Sequence, residues 1–304
     1  MTLPIQVGLS RIVTGTMGHL LSQYYQSAGF LALQPQTRTN YRHILERWRS
    51  EKLPSKDLTY GDIEVKQFRR AHLVKILDMK AATPGAARNL LNRLRVVFKY
   101  AIDLEMIEAN PCLNIARPKS RSREGFIPWS QSEIDQFKDF WDAGSKPRLA
   151  LTLLLSTAVR RSDAVTLGRQ HIKASDQGPE LYFWSKKGKE YLTVPIDHDL
   201  QVELDRLPKS QMMFLQTEYG KPFSEAGFTK WFVERAVMAG LKNRTPHGLR
   251  KAAARDFAES GSSPHEMSAV DGHKTLAEAE RYTRSANRRK LAWNAVNKRE
   301  AAKK

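Results

Sequence analysis

At 304 residues the chain can bury one or two ordinary cores, and 41% hydrophobic with 27% charged residues describes a folded globular protein. Its 50 Lys and Arg against 32 Asp and Glu give a formal net charge of +18, a field that attracts polyanions, nucleic acid first among them. A lone cysteine, Cys112, excludes an intramolecular disulfide and a cysteine-built zinc cluster, and no apolar run is long enough to span a bilayer.

In chain order, the first 115 or so residues read as all-helical. Positions 17–31 carry Leu20, Leu21, Tyr24 and Tyr25 at helical spacing, 37–48 repeat the pattern through Tyr41, Ile44 and Leu45, and 65–77 place Val65, Phe68, Leu73 and Ile76 on one face. The clearest helix covers 84–104: Pro84 suits a first turn, and Leu90, Leu91, Leu94, Val97, Phe98, Ala101 and Ile102 follow with a period near 3.6. Its other side shows Arg88, Asn92, Arg95 and Lys99 as one stripe, a solvated face or a contact to a DNA backbone. Cys112, after Asn110-Pro111, reads as a buried small hydrophobe at a helix exit.

Residues 115–125, with Pro118, serines and the cations Arg117, Lys119, Arg121 and Arg123, show no apolar periodicity, and the linker is placed at 117–126. Arg121 and Arg123 could follow a duplex groove between two domains. Ser130-Gln131-Ser132-Glu133 is a capping box that opens the next domain. In it, 149–156 read as a buried helix. Leu181-Tyr182-Phe183-Trp184 and Tyr191-Leu192-Thr193-Val194 form a hairpin around Ser185-Lys186-Lys187-Gly188-Lys189-Glu190. Further helices are expected over 199–207, 228–239, 248–259 and 264–270. The expected fold is therefore mainly α: a helical bundle over 1–116, then a mostly helical α/β domain with a small β-hairpin sheet over 127–304, its tail starting at about 284.

Several groups are hard to explain by folding alone. Thr157-Ala158-Val159-Arg160, the hairpin lysine Lys186, His247-Gly248-Leu249-Arg250, Gly272-His273 and Tyr282 supply two guanidiniums, an ammonium, two imidazoles and a phenol. A phosphodiester already carries charge and gains more in the transition state, so fixed cations assist attack on it. Guanidiniums stay charged and donate paired hydrogen bonds to phosphate oxygens, which makes Arg160 and Arg250 phosphate clamps. Tyr282 is the candidate nucleophile, His247 and His273 can move protons or bond the non-bridging oxygens, and Lys186 can protonate the leaving 5′ oxygen. This scheme calls for no metal and no cofactor. Arg161, beside Arg160, competes for the same role. The remaining histidines, His19, His43, His72, His171, His198 and His265, are assigned to surface or packing roles.

The ordered set resembles the tyrosine recombinase, or phage integrase, family: an Arg after a Thr-Gly-x motif, a Lys on a β-hairpin, His-x-x-Arg, Gly-His, then Tyr about nine residues on. Here those positions read Arg160, Lys186, His247 with Arg250, His273 and Tyr282, and the resemblance extends to the helical domain, Asn-Pro segment and linker upstream. Ala158 stands where Gly is usual, and Asp271 where an apolar residue more often precedes Gly-His. The resemblance implies that the helical bundle over 1–116 is a core DNA-binding domain and 127–304 the catalytic domain. It further implies site-specific integration or recombination through a 3′-phosphotyrosyl intermediate without ATP, by a homotetramer synapsed on double-stranded DNA. An accessory DNA-bending protein is a further candidate partner. It also places Asp163 as the acidic neighbour of the first arginine, makes a tail helix donated to a neighbouring protomer one reading of Leu291, Trp293 and Val296, and leads us to expect no arm-binding domain before the first helix. With no secretory signal and no insertable amphipathic face, a cytoplasmic, nucleoid-associated location fits, without a membrane partner. The rival readings are a type IB topoisomerase, which would relax DNA lacking a specific site, and a DNA-binding protein with an idle active site.

Overall fold

The computed structural model describes residues 12–54, 57–118, 126–272, 292–293 and 296–301. The chain divides into two compact units, Met1–Arg123 and Glu124–Lys304, and the division falls within the segment read as a linker.

The first unit contains α1 (Met17–Tyr24), α2 (Ala28–Leu31), α3 (Pro35–Arg49), α4 (Arg70–Met79) and α5 (Pro84–Asp103), with 3-10 turns at Tyr60–Asp62 and Val65–Gln67. The helix expected over 17–31 is broken. Ser27 donates its hydroxyl to the Tyr24 carbonyl and accepts from the Phe30 amide, so it ends one helix and caps the next. Likewise the helix expected from 65 starts only at Arg70, because the Arg69 amide bonds to His72 Nδ1 instead of continuing a turn. α5 begins at Pro84, whose missing N–H costs nothing in a first turn. Its apolar face buries Leu90, Leu91, Leu94, Val97 and Phe98 in one core with Leu20, Leu21, Leu45 and Trp48.

The opposite stripe of α5 serves the chain itself in two places. Arg88 donates through Nε and Nη2 to the Pro118 carbonyl, and Arg95 Nη2 donates to the Ile115 carbonyl at 2.7 Å. Ile115 and Cys112 are buried in the same core, and burial pushes the Cys112 thiol up to about 12.

The second unit contains α6 (Gln131–Phe140), α7 (Lys146–Thr157), α8 (Arg161–Ala164), β1 (Ile172–Ser175), β2 (Gly178–Ser185), β3 (Glu190–Pro195), α9 (His198–Asp205), α10 (Glu225–Met238), α11 (Pro246–Glu259) and α12 (Pro264–Asp271). Ser130 and Glu133 form the expected capping box of α6. The sheet is antiparallel in the order β1-β2-β3, so β1 adds a third strand to the expected hairpin. Leu181, Phe183, Leu192 and Val194 face inward, sharing a core with Leu149–Leu154 of α7, Leu249 and Ala252 of α11, and Phe228 and Phe232 of α10. Along the tail, 296–301 is helical and Trp293 and Val296 are exposed; Leu291 lies outside the described residues.

Candidate active site

The described catalytic candidates sit where α7, α11 and α12 end or begin beside the hairpin. α7 stops because Ala158 takes a left-handed conformation, φ +49°, with its amide closing on the Leu154 carbonyl. A glycine adopts this geometry without a Cβ penalty, which is the physical reason a Gly suits that place. The turn then delivers Arg160, and the buried Ala158 carbonyl accepts from Nη1 of buried Arg250.

Arg160 reaches the other way. Its Nη2 donates to the Gly272 carbonyl at 2.9 Å, and its Nη1 is buried with no hydrogen-bond acceptor among the described residues. Gly272 closes α12 with φ +64°, and a Cβ there would stand 2.9 Å from Leu192 Cδ1 and 3.5 Å from Arg160 Nη1. The glycine before His273 therefore allows the close approach of β3 and of the first arginine. Arg161 is directed elsewhere, its Nη1 on Thr229 Oγ1 of α10 at 2.8 Å.

Asp163, 1% exposed, ties this turn to the hairpin. It accepts the Ser185 hydroxyl at 3.2 Å and the Lys186 amide at 3.3 Å, and Ser185 Oγ in turn accepts the Gly188 amide. The backbone at the root of the lysine loop is thus anchored to α8, while the Lys186 and Lys187 side chains stand exposed beyond it.

His247 lies in the first turn of α11, with Pro246 before it and Thr245 capping the Gly248 amide. One side of the residue is open to solvent; the other is packed, with the Phe126 ring 4.7 Å away between centroids. Desolvation pushes its pKa down to about 4, and the charges of Arg250, Lys251, Lys187 and Arg161 add to the effect. Every contribution has the same sign, so the imidazole is neutral at physiological pH, with one ring nitrogen able to accept a proton and the other an N–H donor.

Local sequence pattern marks neither Lys187 nor the 126–129 segment. Lys187 was one lysine of three in a loop, distinguished only by its field at His247, and Phe126 lacked any periodic partner. Among the histidines given packing roles, His19, His72 and His171 accept nearby backbone amides through Nδ1. His273, Tyr282, Arg121 and Arg123 lie outside the described residues.

Residues 130–289 match the model of the phage integrase family. The tyrosine recombinase XerC of Psychromonas ingrahamii is 24% identical over 90% of this chain and 92% of its own length. The prophage integrase IntZ of Escherichia coli is 29% identical over 62% of this chain and 48% of that protein. Among solved structures, a lambda integrase dimer bound to a COC′ core site superposes with a TM-score of 0.73 at 20% identity, covering 88% of this chain and 77% of that one. A lambda integrase tetramer bound to a Holliday junction gives 0.71 at 20% identity, covering 90% and 83%. No described helix is long and apolar enough to cross a membrane. A family model spanning more than half of the chain, with a fold shared along most of its length, shows that this protein belongs to the phage integrase family and is a tyrosine site-specific recombinase.

Proposed function

We propose that the protein cuts one strand of duplex DNA by attack of the Tyr282 phenol oxygen on a backbone phosphorus. The bond to the 5′ oxygen breaks, leaving a 3′-phosphotyrosyl link and a free 5′ hydroxyl; the reverse step with a different 5′ hydroxyl rejoins the strand in a new pairing. A phenol with an ordinary pKa near 10 needs help to attack. Neutral His247 is suited to take its proton or to hold an oxygen of the phosphate, with His273 as a second such group. Lys186, on the loop anchored by Asp163, supplies the proton for the leaving oxygen, and Lys187 stands beside it. Bond energy is kept in the phosphotyrosyl link, so no ATP is consumed, and the fixed cations Arg160 and Arg250 supply the positive charge that a metal would otherwise bring.

The observation that carries this reading is the pairing of Arg160 and Arg250, each tied to a carbonyl at a helix end. A buried N–H without an acceptor costs about 1–3 kcal/mol. Among the described residues Arg160 Nη1 is such a group, and a phosphate oxygen is an acceptor that suits it. The relatives solved as a dimer on a core site and as a tetramer on a Holliday junction support duplex DNA as substrate and a tetramer as the synapsed form. Of the basic stripe, Asn92 and Lys99, with Arg121 and Arg123, are assigned to the DNA backbone. Arg88 and Arg95 mainly brace 112–118, although a guanidinium with five donors can do both. The test is a plasmid carrying two copies of the cognate site, with EDTA present. The reading expects site-dependent recombinants; relaxation of any plasmid without recombinants would favour a topoisomerase, and loss of activity in EDTA would contradict a metal-free mechanism.

A further inference from the structure

Between the linker and α6 the chain runs across the start of α11, and side chains of α11 and its approach hold it there. Lys251 Nζ donates to the Phe126 carbonyl at 2.7 Å, and Arg255 Nη1 to the Trp129 carbonyl at 3.1 Å. In return the Trp129 indole donates to the Thr245 carbonyl at 3.1 Å, and Arg244 pairs with Glu133 of α6. Gly248 leaves the space this crossing needs: a Cβ on it would stand 2.4 Å from the Ile127 carbonyl oxygen and 3.0 Å from the Trp129 ring.

The two aromatic residues of this strap play different parts. Trp129 is fully buried and belongs to the core, so packing accounts for it. Phe126 is 52% exposed and outside that core, yet its ring meets the His247 imidazole at 4.7 Å and 60°. A phenylalanine left half in water gains little from burial; what its placement does is cover one side of a histidine.

We propose that Phe126 is a positioning residue for His247, held on the imidazole by the 126–129 strap so that the ring keeps one orientation and one dry side. The proposal rests on the reading of His247 as a participant in strand cleavage. The charges of four cations also act on this imidazole: Arg250 and Lys251 from α11, Lys187 from the hairpin loop and Arg161 from α8. They remain when Phe126 is removed, whereas the apolar cover does not. Without it, water reaches the second side, the imidazole gains rotamers, and its protonation becomes easier.

The experiment compares Phe126→Ala and Phe126→Tyr with wild type in the full chain, in two readouts. The first is an NMR titration of the DNA-free protein, with the His247 signal among the eight histidines assigned by its loss in His247→Gln. The proposal expects the titration to move up toward the ordinary histidine value, by about one unit in Phe126→Ala, and to stay in place in Phe126→Tyr. The second is the rate of covalent adduct formation, expected to fall about tenfold in Phe126→Ala, with DNA affinity unchanged and Phe126→Tyr close to wild type. An unmoved titration in Phe126→Ala, or a rate that falls only in step with DNA affinity, overturns the proposal. Because the titration needs neither DNA nor reaction, it judges Phe126 separately from the recombinase reading, which an absence of adduct in wild type would contradict.

Discussion

Replacing Gly248 by alanine sets two physical effects against each other. In an unobstructed helix the change stabilises by about 1 kcal/mol, since glycine loses more backbone entropy on folding. Here the new methyl would sit 2.4 Å from the Ile127 carbonyl oxygen and 3.0–3.2 Å from two atoms of the Trp129 ring. Neither neighbour can swing aside, because the first is backbone and the second is a buried indole bonded to the Thr245 carbonyl. Relief requires the strap to lift. Overpacking of this kind costs about 1–3 kcal/mol, and each strap hydrogen bond lost adds about 1 kcal/mol. The clash outweighs the propensity gain, and a net loss of about 1–3 kcal/mol is expected. Urea unfolding of the full chain followed by tryptophan fluorescence measures it, with the midpoint moving down and the slope unchanged. A Gly248→Ala protein as stable as wild type, or more so, would refute the strap geometry.

Asp163→Ala strips the acceptor from the buried Ser185 hydroxyl and the Lys186 amide, at about 1–3 kcal/mol per orphaned donor. Its combination with Ser185→Ala should recover part of that loss, and strict additivity in urea unfolding would argue against the contact. Lowering of the His247 pKa means that the unfolded chain binds the extra proton first as pH falls. The histidine's contribution to stability is thus complete above about 6.5 and is lost as pH drops toward 4; His247→Gln should flatten that part of the unfolding profile, and an unchanged profile would contradict the shift. Lys186→Ala should slow strand cleavage by about 100-fold or more, and a substrate whose leaving oxygen is replaced by sulfur, which needs no proton, should restore the rate. Rescue of Lys187→Ala in place of Lys186→Ala would move the acid one residue along the loop.

The helices were legible where apolar spacing and caps agreed. Pro84 with Leu90, Leu94 and Phe98 predicted α5 to within a residue, and the Ser130–Glu133 box predicted the start of α6. The break between α1 and α2 escaped because its cause is one serine hydroxyl competing for backbone groups, which leaves the apolar spacing on both sides intact. β1 escaped because Ile172–Ser175 buries little; pairing with β2, rather than its own side chains, makes it a strand. At the site, side-chain chemistry and order pointed to Arg160 and Arg250, since few other roles explain such residues in that sequence. The tethers that aim them are backbone carbonyls of Ala158 and Gly272, and every residue has a carbonyl. The strap is likewise a set of long-range contacts, 116 to 126 positions apart, that no local pattern encodes.

The central claim is that Tyr282 forms a covalent link to DNA. It is tested most directly by incubating wild type and Tyr282→Phe with nicked suicide DNA carrying the cognate recombination site, in EDTA, and resolving the products on denaturing gels. The account predicts a protein–DNA adduct from wild type and none from Tyr282→Phe, although both bind the DNA. An adduct that persists in Tyr282→Phe, or wild type that binds the site tightly and never links to it, would contradict the account.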